Sequence, residues 1–118
     1  MQKNSINKVI IIGHLGAKPE GRYTSSGKPI ASFSVATNES WLQKGEQINK
    51  TEWHSVVAWE RLADFAQEYL YKGQLVCVEG KLSSRTWKDK DNKNNKIVEI
   101  VCSNITPLEW KGGRTSPK

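Results

Sequence analysis

Apolar residues recur along this chain mainly with period two, the spacing of strands, and only once with the spacing of a helix. Side chains alternate between the two faces of a strand, so each stretch can be read as a pair of faces. Residues 7–15 (NKVIIIGHL) set Val9, Ile11 and Leu15 on one face and Ile10 and Ile12 on the other. Apolar residues on both faces predict burial on both. Either a helix or a second copy of the chain would cover the second face. Gly13 and Gly16 suit a bulge or bend at the strand's end. Lys18, Pro19 and Glu20 turn the chain into a short extended piece, residues 21–24, carrying Arg22 and Tyr23. A second turn (SSGKP) leads to residues 30–38 (IASFSVATN), a half-buried strand with Ala31, Phe33 and Val35 inward and Ser32 and Ser34 outward.

Residues 39–50 show no period and read as a long loop with Trp41 near its base. Residues 51–60 are the central strand. Trp53, Ser55, Val57 and Trp59 share one face; His54, Val56 and Ala58 share the other. The two rings would stand ~20 Å apart along the strand. Taken alone, this strand favours core burial for both, since tryptophan is usually well buried. Leu62, Phe65, Ala66, Tyr69 and Leu70 then form one helical stripe, predicting a helix of about three turns over residues 61–72. Lys72 falls in its last turn, Gly73 stops it, and its start lacks a strong cap. Residues 74–88 alternate again, with Val76, Val78, Gly80 and Leu82 opposite Lys81, Ser83, Arg85 and Trp87, and Gly80 marks a bend or bulge. Residues 89–96 are a polar hairpin tip or disordered finger. Residues 97–102 (IVEIVC) are the last clear strand, extended by Ile105, Leu108 and Trp110.

The pattern is all-β with one short helix. A helix between the third and fourth strands of five is the order of an OB-fold, a five-stranded Greek-key barrel. An SH3-like barrel would not place a helix there, while an open α+β sheet fits the pattern as well. At 118 residues the chain is one domain, residues 1–110, with a frayed tail over residues 111–118.

Composition narrows the chemistry. The net charge of +6 points to an anionic partner, nucleic acid first. Cys77 and Cys102 form no CxxC and lie in apolar runs, which favours reduced core thiols and leaves a bridge between them open. No metal cluster, phosphate loop or nucleophile elbow is present, so neither a metal nor a cofactor is expected, nor an enzyme. His14 and His54 read as structural histidines. The polar start and the absence of any long apolar run predict a soluble intracellular protein with no leader and no membrane contact.

What changes the reading of the central strand is the company its tryptophans keep. Trp41, Trp53, Trp59 and Trp87 all sit among polar or charged residues, and Arg22, Lys44, Arg61, Lys72, Lys81 and Arg85 flank them. Trp87 shares the polar face of its strand with Arg85 and Lys81, which is no core pattern. Single-stranded nucleic acid requires both features: cations that track the phosphates, and rings that stack on exposed bases regardless of sequence. Stacking does not distinguish DNA from RNA. Tryptophans can also stack on sugars, so an OB-fold interaction or carbohydrate-binding module is the rival class.

The segments NKVIIIGHLG, PEGRYTSSG, SFSVATNESW, TEWHSVVAWERLA, AQEYLYKGQLVCVEGKL and SRTW, in that order, resemble the bacterial and organellar single-stranded DNA-binding protein family over about residues 5–110. The resemblance implies an OB-fold protomer in a homotetramer that binds single-stranded DNA, without catalysis, in replication, recombination and repair. It implies a place in the bacterial cytoplasm with the nucleoid, or in an organelle matrix. A primosome-type accessory protein, a dimeric relative of the same fold, is the near alternative. The family's stacking aromatics fall on Trp41, Trp53, Trp59 and Trp87, its basic positions on Arg22, Arg61, Lys72 and Arg85, and a protomer-contact histidine on His54. The assembly so implied would also cover Ile10 and Ile12. Three serine or threonine positions depart from the pattern, since Ser55, Ser83 and Thr86 stand where many relatives are basic. Glu60 stands where glycine is usual. Relatives often end in an acidic, phenylalanine-tipped tail that recruits replication and repair enzymes. This sequence ends TSPK, as a truncated or short form would, so those protein partners stay unassigned.

Overall fold

The computed structural model describes residues 3–110; residues 111–118, expected as a tail, lie outside the described residues. The elements are β1 (Val9–Leu15), β2 (Glu20–Tyr23), β3 (Pro29–Gln43), β4 (Glu46–Trp59), α1 (Arg61–Tyr69), β5 (Leu75–Lys88) and β6 (Asn94–Pro107). Five strands close into a barrel in the order β1-β5-β6-β4-β3, with β3 returning to β1, and β2 adds to the outer edge of β3. Every pairing is antiparallel except β4 with β6. This is the expected OB-fold barrel with its one helix.

The core follows the alternation. Ala31, Phe33 and Val35 of β3, Val56 and Ala58 of β4, Val76 and Val78 of β5, and Ile100, Cys102 and Ile105 of β6 point inward. The helix adds Ala63, Ala66 and, just past its end, Leu70. Phe65 and Tyr69 meet at 5.1 Å with their rings tilted by 48°, and the fifth tryptophan, Trp110, meets Tyr69 edge-on at 5.9 Å. Gly80 bends the sheet as expected, with a register shift in the β5–β6 ladder at Glu79/Gly80. Val57 departs from its outward neighbours: it is buried, held in register between Ser32 of β3 and Val101 of β6.

Three boundaries and the reading of the cysteines differ from expectation. Residues 39–50 are no loop: β3 and β4 run on as a two-stranded ribbon, paired through Gln43↔Glu46 and closed by Lys44 and Gly45. Both turn residues have positive φ (50° and 81°), the conformation of a tight hairpin turn. The ribbon lies beyond the core, so both faces meet water and no apolar alternation marks it. The helix stops at Tyr69, because Leu70 is already extended (φ −91°, ψ 144°), and Lys72 therefore lies in the following turn. Of the two readings of residues 89–96, the hairpin tip holds and the disordered finger does not, and the tip is shorter than expected, since pairing resumes at Lys88↔Asn94. Asp89 orders that turn by accepting the N–H groups of Asp91 and Lys93 and the amide of Asn95. The Asn95 bond first, and then the backbone donors, hold the Asp89 carboxyl below its usual range. Finally, the cysteines are both free but not both core: Cys102 points inward, where burial pushes its thiol up to about 11, while Cys77 is half-buried opposite Ile12.

The barrel closes over a short seam. Only His14↔Ala36 and Leu15↔Val35 pair β1 with β3, extended by the Gly16 N–H donating to the Ser34 carbonyl at 3.1 Å. Gly13 makes this approach feasible, because a Cβ there would overlap the Ala36 carbonyl oxygen and stand 2.9 Å from Val35 Cγ1. Gly13→Ala is therefore expected to lower stability by ~1–3 kcal/mol, the scale of an overpacked core. Urea unfolding measures it; an unchanged midpoint would mean that the seam opens without strain.

Candidate nucleic-acid interface

The outer face of the barrel is assembled by alternation on five strands. From β4 it takes Trp53, Ser55 and Trp59; from β5, Lys81, Ser83, Arg85 and Trp87; from β6, Glu99; from the β2–β3 edge, Arg22 and Ser32. Trp53, Trp59 and Trp87 are 57%, 41% and 44% exposed, which settles the choice between core and surface. The inward neighbours Val56 and Ala58 do the structural work on β4. Val56, Ile100 and Leu82 form one row across β4, β6 and β5. Counted from that row, Trp53 and Trp87 both lie toward the start of β6, and Trp59 lies the other way, beside the helix.

Each ring has its own support. Trp53 leans over Gly16: a Cβ there would come within 2.6 Å of its Cζ3 and 2.9 Å of Ser34 Oγ. Trp59 ends β4 opposite Ile30, and the next residue, Glu60, donates its N–H to the Pro29 carbonyl at 2.9 Å. Trp87 carries the Arg85 guanidinium over its ring at 5.4 Å from the centroid. Arg85 Nε in turn donates to Glu99 Oε1 at 2.9 Å. Arg22 donates from Nη1 to Ser32 Oγ at 2.9 Å. Arg22, Arg85, Ser55 and Glu99 line one groove of about 490 Å³, so two of the expected cations share a wall.

The other expected residues stand elsewhere. Trp41 pairs with Ile48 on the β3–β4 ribbon, not in a loop, and alternation turns it to the opposite face from Trp53. Lys44 sits in the ribbon's turn, Arg61 opens the helix, and Lys72 follows it, all three exposed. Lys81 faces outward but lines a separate groove of about 620 Å³ with Lys8, Glu79 and Asn104. Two ion pairs form among the described residues, Lys50–Glu52 at 3.6 Å and Arg85–Glu99 at 2.9 Å. Arg22, Lys44, Arg61, Lys72 and Lys81 enter neither, which leaves their charge facing solvent.

Ile10 and Ile12 point outward from β1, 57% and 56% exposed, an apolar pair with no cover in the protomer. No helix packs there, since α1 lies against β2, β3, β4 and β6. His54 is on the inward side of β4, half-buried, with Nε2 2.9 Å from Thr37 Oγ1, so it does not share the Ile10–Ile12 face. The sequence does not mark Glu99 as a site residue, and it marks Gly16 only as a bend at the end of the first strand. The acidic residue inside IVEIV was the available signal for Glu99; the contact of Gly16 with Trp53 is long-range and leaves no local trace.

Glu60 has a conformation that its side chain resists, φ 55° with ψ −117°, between Trp59 and Arg61. Glycine enters this region freely and other residues do not. Glu60→Gly is expected to raise stability by about 1 kcal/mol, the strain released less the extra freedom of the unfolded glycine. The urea midpoint reads this out, and a lower midpoint would remove the strain argument.

Comparison with known proteins agrees in sequence and in fold. The profile of the Single-strand binding protein family matches residues 6–108. Single-stranded DNA-binding protein 1 of Chlorobaculum tepidum is 44% identical over 115 residues, 94% of this chain and 71% of that protein. A solved Plasmodium falciparum SSB complex with ssDNA superposes with a TM-score of 0.80 at 34% identity, covering 92% of this chain and 100% of that one.

Proposed function

The chain belongs to the Single-strand binding protein family, and on that footing we propose that it binds single-stranded DNA without catalysing a reaction, stacking bases on Trp53, Trp59 and Trp87 and meeting phosphates with Arg22, Arg61 and Arg85. The observation that carries this reading is three tryptophans exposed on one barrel face, with two arginines lining a groove on that face. Trp53 rests against Gly16 and Trp87 lies under the Arg85 guanidinium, contacts that restrict these rings before a ligand arrives and so reduce the side-chain entropy lost on stacking. Stacking and phosphate contact are both indifferent to base identity, which suits a protein that coats any exposed strand. Duplex DNA hides the faces that the rings need.

Lys72, Lys81, Lys44 and Trp41 extend the reading beyond the barrel face. They lie around it, on the helix end, a neighbouring groove and the β3–β4 ribbon, where a strand leaving the central groove would pass. Such a path suits a strand wrapped over more than one protomer. Ile10 and Ile12 supply the apolar contact for that assembly, which we take to be a homotetramer, and His54 lies near the barrel mouth beside Trp53. In the cell this activity serves replication, recombination and repair.

Titration of the intrinsic tryptophan fluorescence with oligo-dT tests the function directly. Strong quenching is expected at low salt, with affinity falling as salt rises, because bound phosphates release counterions. Absence of quenching at low salt would refute it. Trp53→Ala and Trp87→Ala should each weaken binding by ~1–3 kcal/mol with the fold intact. For the assembly, mass measurement in solution should give four protomers, and Ile12→Glu should lower that number; an unchanged mass would place the contact elsewhere.

A further inference from the structure

Glu99 stands in the middle of the proposed binding face, where a carboxylate ought to oppose a polyanion. It lies on β6 opposite Ser83, and it lines both the 490 Å³ groove with Arg22 and the 330 Å³ groove beside Trp53. Its side chain is only 14% exposed, while that of its partner Arg85 is 55% exposed. The carboxylate is thus a covered, fixed group and the guanidinium the outward one.

The three side chains form a chain of contacts. Glu99 Oε1 accepts from Arg85 Nε at 2.9 Å, and the Arg85 guanidinium lies over Trp87 at 5.4 Å. A guanidinium has five N–H donors. The bond through Nε uses one and leaves the donors of the two Nη groups outside it, on a side chain that lines the groove. A charge-assisted bond of this length is among the strong ones. It holds a long side chain that would otherwise sample many rotamers, and the held guanidinium steadies the ring by cation–π attraction.

We propose that Glu99 is a positioning residue: it fixes Arg85 against Trp87, so that one base and one phosphate meet a preformed pair. This rests on the single-stranded DNA reading above. Charge alone predicts the opposite sign, since removing a carboxylate should tighten a polyanion. The sign of the effect therefore separates order from charge.

The experiment compares Glu99→Gln and Glu99→Ala with wild type by oligo-dT titration, alone and in an Arg85→Ala background. Both variants should bind about twofold to tenfold more weakly despite their extra positive charge, the factor for leaving one long side chain unordered. The loss should vanish once Arg85 is absent. In the free protein, the NMR signals of the Arg85 Nε–H and the Trp87 indole N–H should shift in Glu99→Gln. That arm uses no DNA, so a wild-type chain that failed to bind oligo-dT would defeat the functional reading while the spectra still judged the positioning. Binding as tight as wild type or tighter, an equal loss in the Arg85→Ala background, or unmoved Arg85 and Trp87 signals would each overturn the proposal.

Discussion

The structure depends on a seam two residue pairs long. β1 must come close enough to β3 for Leu15 and Val35 to pair, and the backbone of Gly13 meets the Ala36 carbonyl without a side chain between them. Without that closure β1, β5, β6, β4, β3 and β2 would be an open sheet with β1 and β2 at its edges. Closure decides which residues are inside. Val35, Val56, Val76 and Val78 become a sealed core, and their alternates on the same strands become the outer surface. The proposed binding face is thus a by-product of barrel geometry: once the valines are committed inward, Trp53, Trp59 and Trp87 have nowhere else to point.

The same alternation sets the electrostatics. The outer face draws cations from β2 and β5 and one anion from β6, and the anion is bonded to the arginine nearest a ring. Ser55 and Ser83 lie to either side of Glu99 on the neighbouring strands. The groove therefore holds the Arg85–Glu99 pair together with Arg22, which enters no ion pair, while Lys44, Arg61, Lys72 and Lys81 stand outside its lining. On the proposed reading, phosphates meet the two arginines in the groove and bases meet the rings around it.

Much of this was legible in the sequence, for definite reasons. Faces that border the core were legible, because burial imposes period two on Ala31, Phe33 and Val35 and on Val76 and Val78. The helix stripe was legible from Leu62 to Leu70, although its end was not, since Leu70 is buried from an extended backbone and so continues the apolar pattern past the last helical turn. The β3–β4 ribbon was illegible because nothing covers either of its faces. Lys44 adds no turn signal, lysine being an uncommon choice at positive φ. Long-range contacts left no local mark: the ring of Trp53 over Gly16, and Glu99 reaching Arg85. Glu60 was visible as an odd residue, but only the backbone angles give the reason.

The ribbons have a thermodynamic consequence. Between Asn38↔Thr51 and Gln43↔Glu46, β3 and β4 are joined to each other and to nothing else, and β5 and β6 likewise run out past Arg85↔Ile97 to a five-residue turn. Their hydrogen bonds have no apolar layer behind them. Stability is therefore graded along single strands: the same β3 that is locked at Val35 is held at Trp41 only by its partner strand. Amide hydrogens in the outer halves are expected to exchange through local openings that leave the barrel shut, and those of the seam through global unfolding. The molecule is a closed barrel from which two two-stranded ribbons extend.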